Sequence, residues 1–143
     1  MRLRKDQRGY SMTFWTVFFA FVLIPIMALS IELGRYFYAR AEVAKAADAA
    51  ALSAAAEIDQ RAFEESGNLR ATSATWANAQ EFANLNDNYL AKNGVNVFIT
   101  GIQVAGSSVQ VIVSASLVRL FPSVAPDIVI TETGAADIRA LTQ

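Results

Sequence analysis

Residues 8–35 read RGYSMTFWTVFFAFVLIPIMALSIELGR, and this stretch decides how the chain is organised. It begins and ends with arginine and carries no charged side chain from Gly9 to Ile31, a run of 23 residues. As a helix with a rise of roughly 1.5 Å per residue, that run is about 35 Å long, enough to cross a hydrocarbon core of about 30 Å. A helix that is apolar on every side finds no covering surface in so small a domain, so the stretch predicts a membrane-spanning helix.

Basic residues flank this stretch unevenly. Arg2, Arg4, Lys5 and Arg8 precede it, whereas Arg35, Arg40 and Lys45 follow it. Segments rich in lysine and arginine stay in the cytoplasm, which predicts a cytoplasmic N-terminus. We therefore expect a basic cytoplasmic leader at residues 1–9, a transmembrane helix at residues 10–33 and an extracytoplasmic domain at residues 34–143.

The same stretch has an alternative interpretation as a secretion signal. A basic start, an apolar run, Pro25 and the small residues of Ala28-Leu29-Ser30 resemble the elements of a signal peptide and its cleavage site. The apolar run exceeds the usual length of about 7–15 residues, and helix-favouring sequence continues beyond Ser30. The alternative to an anchored protein is a soluble binding module secreted after cleavage at Ser30.

An alanine-rich segment follows and predicts that the helix continues outside the membrane, from Glu32 to about Glu65. At 100° per residue it carries a stripe of mostly small apolar residues, while Glu42 and Asp48 fall elsewhere on the helix. The stripe consists of Val43, Ala47, Ala50, Ala51, Ala54 and Ile58. Small side chains allow close approach, so we expect the stripe to pack against the chain's own sheet or against another subunit.

The remaining sequence predicts a second helix and three strands. The helix covers about Arg70 to Lys92 and ends at Asn93-Gly94. Its predicted inward residues are Trp76, Ala79, Phe82, Ala83 and Leu90. Apolar residues then alternate in three short runs, at residues 95–104, 109–115 and 128–133, and a loop with two prolines at residues 121–127 precedes the third. A bulge is expected at Thr100-Gly101, where the alternation shifts by one. The expected fold class is α+β, with a small antiparallel three-stranded sheet covered by a helix.

The residue types present argue against catalysis. The chain has no histidine and no cysteine, so the commonest general base and the thiol nucleophile are both absent. Its net charge is −1, and the basic residues do not cluster on a folded segment, which argues against nucleic-acid binding. We predict no enzyme activity, no metal, no cofactor and no small-molecule substrate. Glu32 and Arg35, three residues apart, are expected to pair with each other at the membrane surface.

The order of these features is similar to that of the TadE/TadG-like family of Flp pilus-assembly (tight adherence) proteins. The similarity rests on Gly9 after a basic leader, Pro25 within the apolar helix, Glu32 before Gly34-Arg35, and Asp48 before an Ala-Ala-Ala-Leu run. It implies a minor, pilin-like structural component of the cell envelope, anchored once in the bacterial inner (cytoplasmic) membrane. Membrane lipid and other pilus-assembly or pilin-like subunits, including copies of itself, are the implied partners. An accessory single-pass subunit of an unrelated complex is a further alternative.

The resemblance also implies which residues act in processing and assembly. Cleavage after Gly9 would leave Tyr10 as the first residue, and pilin-type signals then usually place glutamate where this chain has Phe14. We therefore expect the leader to be retained. The residues implied in packing and assembly are Pro25, Glu32, Arg35, Ala47, Asp48 and Ala51.

Overall fold

The structure, a computed structural model, describes residues 8–58, 70–120 and 127–138, without the side chains of residues 8–10. The chain divides into two compact units, Met1–Arg35 and Tyr36–Gln143. Helices come first along the chain and a three-stranded antiparallel sheet follows them. The predicted α+β class, with its long N-terminal apolar helix, is confirmed.

The helical path of the first unit contains one widened turn. Helix α1 covers Arg8–Phe18, a π-helical segment covers Phe19–Leu23, and helix α2 covers Ile24–Ala56. The N–H of the first residue of α2 donates to the first carbonyl of the π segment, five residues back. Pro25 supplies the physical reason, because it lacks an N–H and its ring crowds the carbonyl four residues earlier in an α-helix. The sequence predicted the helix through Pro25 but not this widened turn.

Helix α2 ends at Ala56, earlier than the predicted end near Glu65. The N–H of Glu57 still bonds to the carbonyl of Ser53, but the carbonyl of Glu57 accepts instead from the hydroxyl of Thr75, at 3.4 Å. The next residue, Ile58, is buried in the core. The rest of the predicted helix, from residue 59 to about Glu65, lies outside the described residues, as does the Ser-Gly-Asn-Leu run at residues 66–69 that favours a helix stop.

The predicted second helix is two helices, α3 at Ser73–Leu85 and α4 at Asn88–Lys92. A capping box begins α3, in which Thr72 and Thr75 each accept from the other's backbone N–H. The chain turns at Asp87, whose carbonyl accepts from the next turn and so restarts the helix. Gly94, with φ of 71°, takes the left-handed conformation predicted for the end of this segment.

Two of the residues predicted to face inward from this helical segment do not. Trp76 is 40 % exposed and Phe82 is 46 % exposed, whereas Ala79, Ala83 and Leu90 are fully buried as predicted. The two aromatic residues flank the alanines on the helix surface, where the close packing leaves room only for small side chains. The prediction was based on hydrophobicity, whereas side-chain size decides which residues of this helix are buried.

Strands β1 at Val97–Ala105, β2 at Ser108–Leu117 and β3 at Ile128–Asp137 form the sheet, in the order β1-β2-β3. The register between β1 and β2 shifts between Ile99 and Gly101, which confirms the predicted bulge. Strand β3 extends beyond Thr133, where the predicted strand ended. The prolines and most of the loop predicted before β3 lie at residues 121–126, outside the described residues.

The core of the second unit lies between α2 and one face of the sheet. Alternate residues of β2 are buried there, namely Val109, Val111, Val113, Ala115 and Leu117. Gly134 of β3 allows the closest approach, because a Cβ built on it would lie 2.1 Å from the backbone oxygen of Ala47. Such a contact is impossible for any other residue type, so Gly134 determines how closely α2 can sit on the sheet.

Candidate functional site

The first unit presents an apolar helical surface that no other part of the described chain covers. Every side chain from Ser11 to Met27 is exposed, including Phe21 at 78 %. The helical run Ser11–Ala56 is the one described segment long and apolar enough to cross a membrane. Exposing so much apolar surface to water is unfavourable by about 25 cal/mol per Å², so this segment needs a non-aqueous neighbour.

Aromatic rings are concentrated near the start of this segment. Trp15 lies 5.9, 5.8 and 6.0 Å, between ring centroids, from Phe14, Phe18 and Phe19 respectively. Amphipathic rings such as tryptophan favour the boundary between lipid and water. The ring of Phe14 is exposed, as are those of Trp15, Phe18 and Phe19.

An ion pair follows the apolar run. The guanidinium of Arg35 donates to the carboxylate of Glu32 at 3.3 Å, and both side chains are partly buried. This confirms the predicted pairing at a spacing of three residues, which brings side chains together on one helix face. Gly34, between them, faces open space, because a Cβ built there would have no neighbour within 4 Å.

The small-residue stripe of α2 packs within the chain. All six of its members are buried, as are Ala39 and Ala46 beside them. The contact between Ala47 and Gly134 identifies the chain's own sheet as the surface that the stripe meets. Asp48 is exposed, whereas Ala47 and Ala51 have no exposed surface, and a part for these residues in assembly stays a prediction.

One charged residue of α2 was wrongly predicted to lie away from this buried surface. Glu42 is only 6 % exposed, and its carboxylate accepts from the ammonium of Lys45 at 2.5 Å. This hydrogen bond, more than any other cause, raises the pKa of Lys45. The buried face of α2 is wider than the stripe and takes in Glu42 at its edge, where an exposed lysine can neutralise the carboxylate.

A second buried carboxylate stands at the turn before α4. Asp87 is 4 % exposed, and burial raises its pKa above the usual range, with a smaller contribution from the nearby charge of Glu42. Two residues after it in the sequence, the ring of Tyr89 meets that of Tyr38 edge to face at 4.4 Å between centroids. Reasoning from the sequence missed this cluster, since the Asn-Asp-Asn run that contains Asp87 indicates an exposed loop.

The remaining predicted positions are placed as follows. Gly9 and Tyr10 belong to α1, and their side chains lie outside the described part of the chain. Pro25 occupies the second position of α2, directly after the π segment. Within residues 8–58, 70–120 and 127–138 there is no cluster of three His, Cys, Asp or Glu side chains that could hold a metal ion.

Comparison with known proteins returns one family. Residues 9–57 match the Tad family model, described as Flp pilus-assembly TadE/G-like. No curated protein and no solved structure matches the chain. The matched segment contains the whole apolar run, the Glu32–Arg35 pair and all of the small-residue stripe except Ile58, and it ends one residue past α2. Residues 9–57, about a third of the chain, are therefore similar to the TadE/G-like Flp pilus-assembly family.

Proposed function

We propose that the protein is a pilin-like, non-catalytic structural component of a Tad/Flp-type pilus system. The exposed apolar surface from Ser11 to Met27, within the segment that matches the family, carries this proposal. A helix of this kind is stable in lipid or against other apolar helices. A pilus component would occupy both environments, because it would reside in the membrane before it assembles with other subunits.

The proposed arrangement is a single membrane pass with a basic leader inside the cell. Residues 10–33 form the span, Arg2, Arg4, Lys5 and Arg8 hold the leader in the cytoplasm, and residues 34–143 lie outside. The ion pair Glu32–Arg35 marks the outer end of the span, where a charge can stay hydrated. The membrane is the inner, cytoplasmic membrane of a bacterium.

The structural role follows from the chemistry of the second unit. Of its buried charged groups, Glu42 is neutralised by Lys45, and Asp87 belongs to no cluster of three metal-ligating side chains among the described residues. The family is one of structural rather than catalytic proteins. The partners that we propose are other pilus-assembly or pilin-like subunits, and further copies of this chain.

The mass of the mature N-terminus tests the proposal. We expect an intact leader in a membrane fraction that resists extraction at high pH and dissolves in detergent. Loss of residues 1–9 would indicate pilin-type processing before Tyr10, which keeps the pilus role but changes the anchoring. Loss of residues 1–30, with the protein recovered in buffer, would overturn the membrane proposal.

That last outcome corresponds to the second candidate, a secreted binding module, which one observation favours. The described buried residues begin at Ala39, so the core of the second unit uses nothing from the segment before Ser30. Cleavage at Ser30 would leave that core complete. Co-purification then separates a pilus component from an accessory subunit of an unrelated complex, because only the former retains pilus-assembly proteins.

A further inference from the structure

The two outer edges of the sheet differ in how their backbone groups are satisfied. Along any strand, the N–H and C=O of successive residues point alternately to the two sides. The N–H of Ile138, just after β3, donates to the carbonyl of Ser107 in the turn before β2. Even-numbered residues of β3 therefore bond to β2, and its odd-numbered residues direct their backbone groups outward.

The edge at β1 is protected. Gln80 of α3 donates from its amide to the carbonyl of Val97 at 2.9 Å and accepts from the N–H of Ile99 at 3.0 Å. Its side chain therefore occupies the place of a neighbouring strand. The bulge at Gly101 then interrupts the rest of this edge. Covering groups and bulges are the devices by which proteins prevent strands from pairing with other molecules.

The edge at β3 has neither device in the described part of the chain. Its pairing with β2 is continuous from Ile128 to Asp137, without a bulge and without proline. No hydrogen bond to its outward backbone groups is found among the described residues. The outward residues Val129, Thr131, Thr133 and Ala135 have exposed, uncharged side chains, and the one charged outward residue, Asp137, stands at the end of the strand.

We propose that β3 pairs with β3 of a second copy of this chain, antiparallel, so that the two sheets form one continuous six-stranded sheet. An exposed ladder of outward N–H and C=O groups fits an extended strand and no other shape. Since β1 is closed by Gln80, a head-to-tail pairing of β3 with β1 is blocked, and the symmetric pairing of two identical edges is left.

Charge and length together select one register, because a register centred beyond Thr133 pairs fewer residues of β3. A register centred on Glu132 would place two carboxylates directly opposite each other, which is unfavourable. A register centred on Thr133 pairs residues 129–137 of both copies, places Glu132 opposite Gly134, and brings two threonines together. It also leaves Glu132 bound to Arg40 of its own chain. The inference is independent of the proposed pilus role, because it rests on the sheet alone.

Cysteine cross-linking of the full chain in detergent tests the pairing, since the natural sequence has no cysteine. Thr133→Cys should form a disulfide-linked dimer on mild oxidation, because residues paired across two strands lie within reach of a disulfide. Gln103→Cys, exposed on the same sheet face but on β1, is the matched control and should remain monomeric. A monomeric Thr133→Cys, or equal cross-linking of both variants, would overturn the proposal.

A proline variant tests the ladder itself. Thr131→Pro in the Thr133→Cys background removes an outward N–H and leaves the bonds to β2 in place, so the cross-linked dimer should be lost. Thr131→Val removes the same hydroxyl but keeps the N–H, and the dimer should persist. Circular dichroism verifies that each variant is folded. Undiminished cross-linking in a folded Thr131→Pro variant would refute β3–β3 pairing.

Discussion

The two parts of α2 differ in the size and the exposure of their apolar side chains. In the first unit, Ile24, Met27 and Leu29 are large and exposed. In the second unit, Ala47, Ala50 and Ala51 are small and fully buried. Both parts have regular helical geometry and both are rich in apolar residues, so neither secondary structure nor hydrophobicity alone distinguishes them.

Side-chain size distinguishes them. A helix surface of alanine brings its backbone close to a sheet, and Gly134 allows that approach to reach backbone contact. A helix surface of large apolar residues keeps any neighbour at a distance and suits a fluid surrounding such as lipid. Within α2, the size of the apolar residues, rather than their number, distinguishes the part that packs against the chain's own sheet from the part that is exposed.

The largest expected effect comes from adding a side chain at Gly134, where the sheet contacts the backbone of α2. Gly134→Val would place side-chain atoms on the backbone of Ala47, and we expect the free energy of unfolding of the second unit to fall by about 3 kcal/mol or more. Thermal unfolding followed by circular dichroism measures it. Ala135→Val, on the exposed face, is the control and should unfold like the natural protein. Membrane integration should not change in either variant.

A charge placed in the exposed apolar segment should affect the first unit alone. Phe21→Lys places a charge in the middle of the exposed apolar segment, which on insertion scales costs about 2.5–3.5 kcal/mol. The fraction of protein that resists extraction at high pH should fall sharply, whereas Phe21→Leu should leave it unchanged. Full membrane retention of Phe21→Lys would show that this segment does not contact lipid.

A smaller effect is expected from added bulk on the buried face of α2. Ala47→Leu and Ala51→Leu should each lower the free energy of unfolding by about 1–3 kcal/mol, because the space beside them is filled. Ala41→Leu, on the exposed face, is the matched control and should be nearly neutral. Equal stability of all three variants would contradict the close packing. Ser53 is unsuitable as a control, since it is buried although helical spacing places it off the stripe.

The smallest effect concerns Asp87 and depends on pH. Burial raises the pKa of Asp87 in the folded state above its ordinary value of about 3.9. Between the ordinary pKa and the raised pKa, the folded state binds the proton more tightly than the unfolded state does. The free energy of unfolding therefore falls as pH rises from the ordinary pKa to the raised one.

Asp87→Asn removes this dependence. We expect the variant to be more stable than the natural protein at pH 7 and to lose the decline in stability with rising pH above the ordinary value. Urea unfolding at several pH values measures both effects. Asp48→Asn, at an exposed position, is the control. A variant that is less stable at pH 7 would show that the carboxylate of Asp87 supports the fold.

The fold was predictable to the extent that a period in the sequence reports burial. Alternation in β2 and the shift at Thr100-Gly101 gave the sheet and its bulge, because each strand has one buried face. The break at Asp87 and the extension of β3 past Gly134 were not predictable in this way. Both depend on tertiary contacts, the burial of a carboxylate and the close approach of a helix, which leave no period in the sequence.

In the candidate site, too, local features were predictable and features that depend on tertiary contacts were not. The apolar run and the pairing of Glu32 with Arg35 are local, so length, composition and spacing sufficed to predict them. The burial of Glu42, its proximity to Asp87 and the binding of Gln80 to β1 join segments far apart in the sequence. A polar residue between alanines, as Gln80 is between Ala79 and Ala83, was the available signal for the last of these.

The π segment before Pro25 has a consequence for any helix that packs along the exposed apolar segment Ser11–Met27. One extra residue in a helical turn rotates everything after it by about 100° relative to a uniform α-helix. Residues before Phe19 and after Leu23 that a helical wheel assigns to the same side therefore point in different directions. A neighbouring helix contacts one set of side chains below the widened turn and a set offset by one position above it. Deleting a single residue from Phe19–Leu23 would bring the two sets back into phase and change which side chains the neighbour meets.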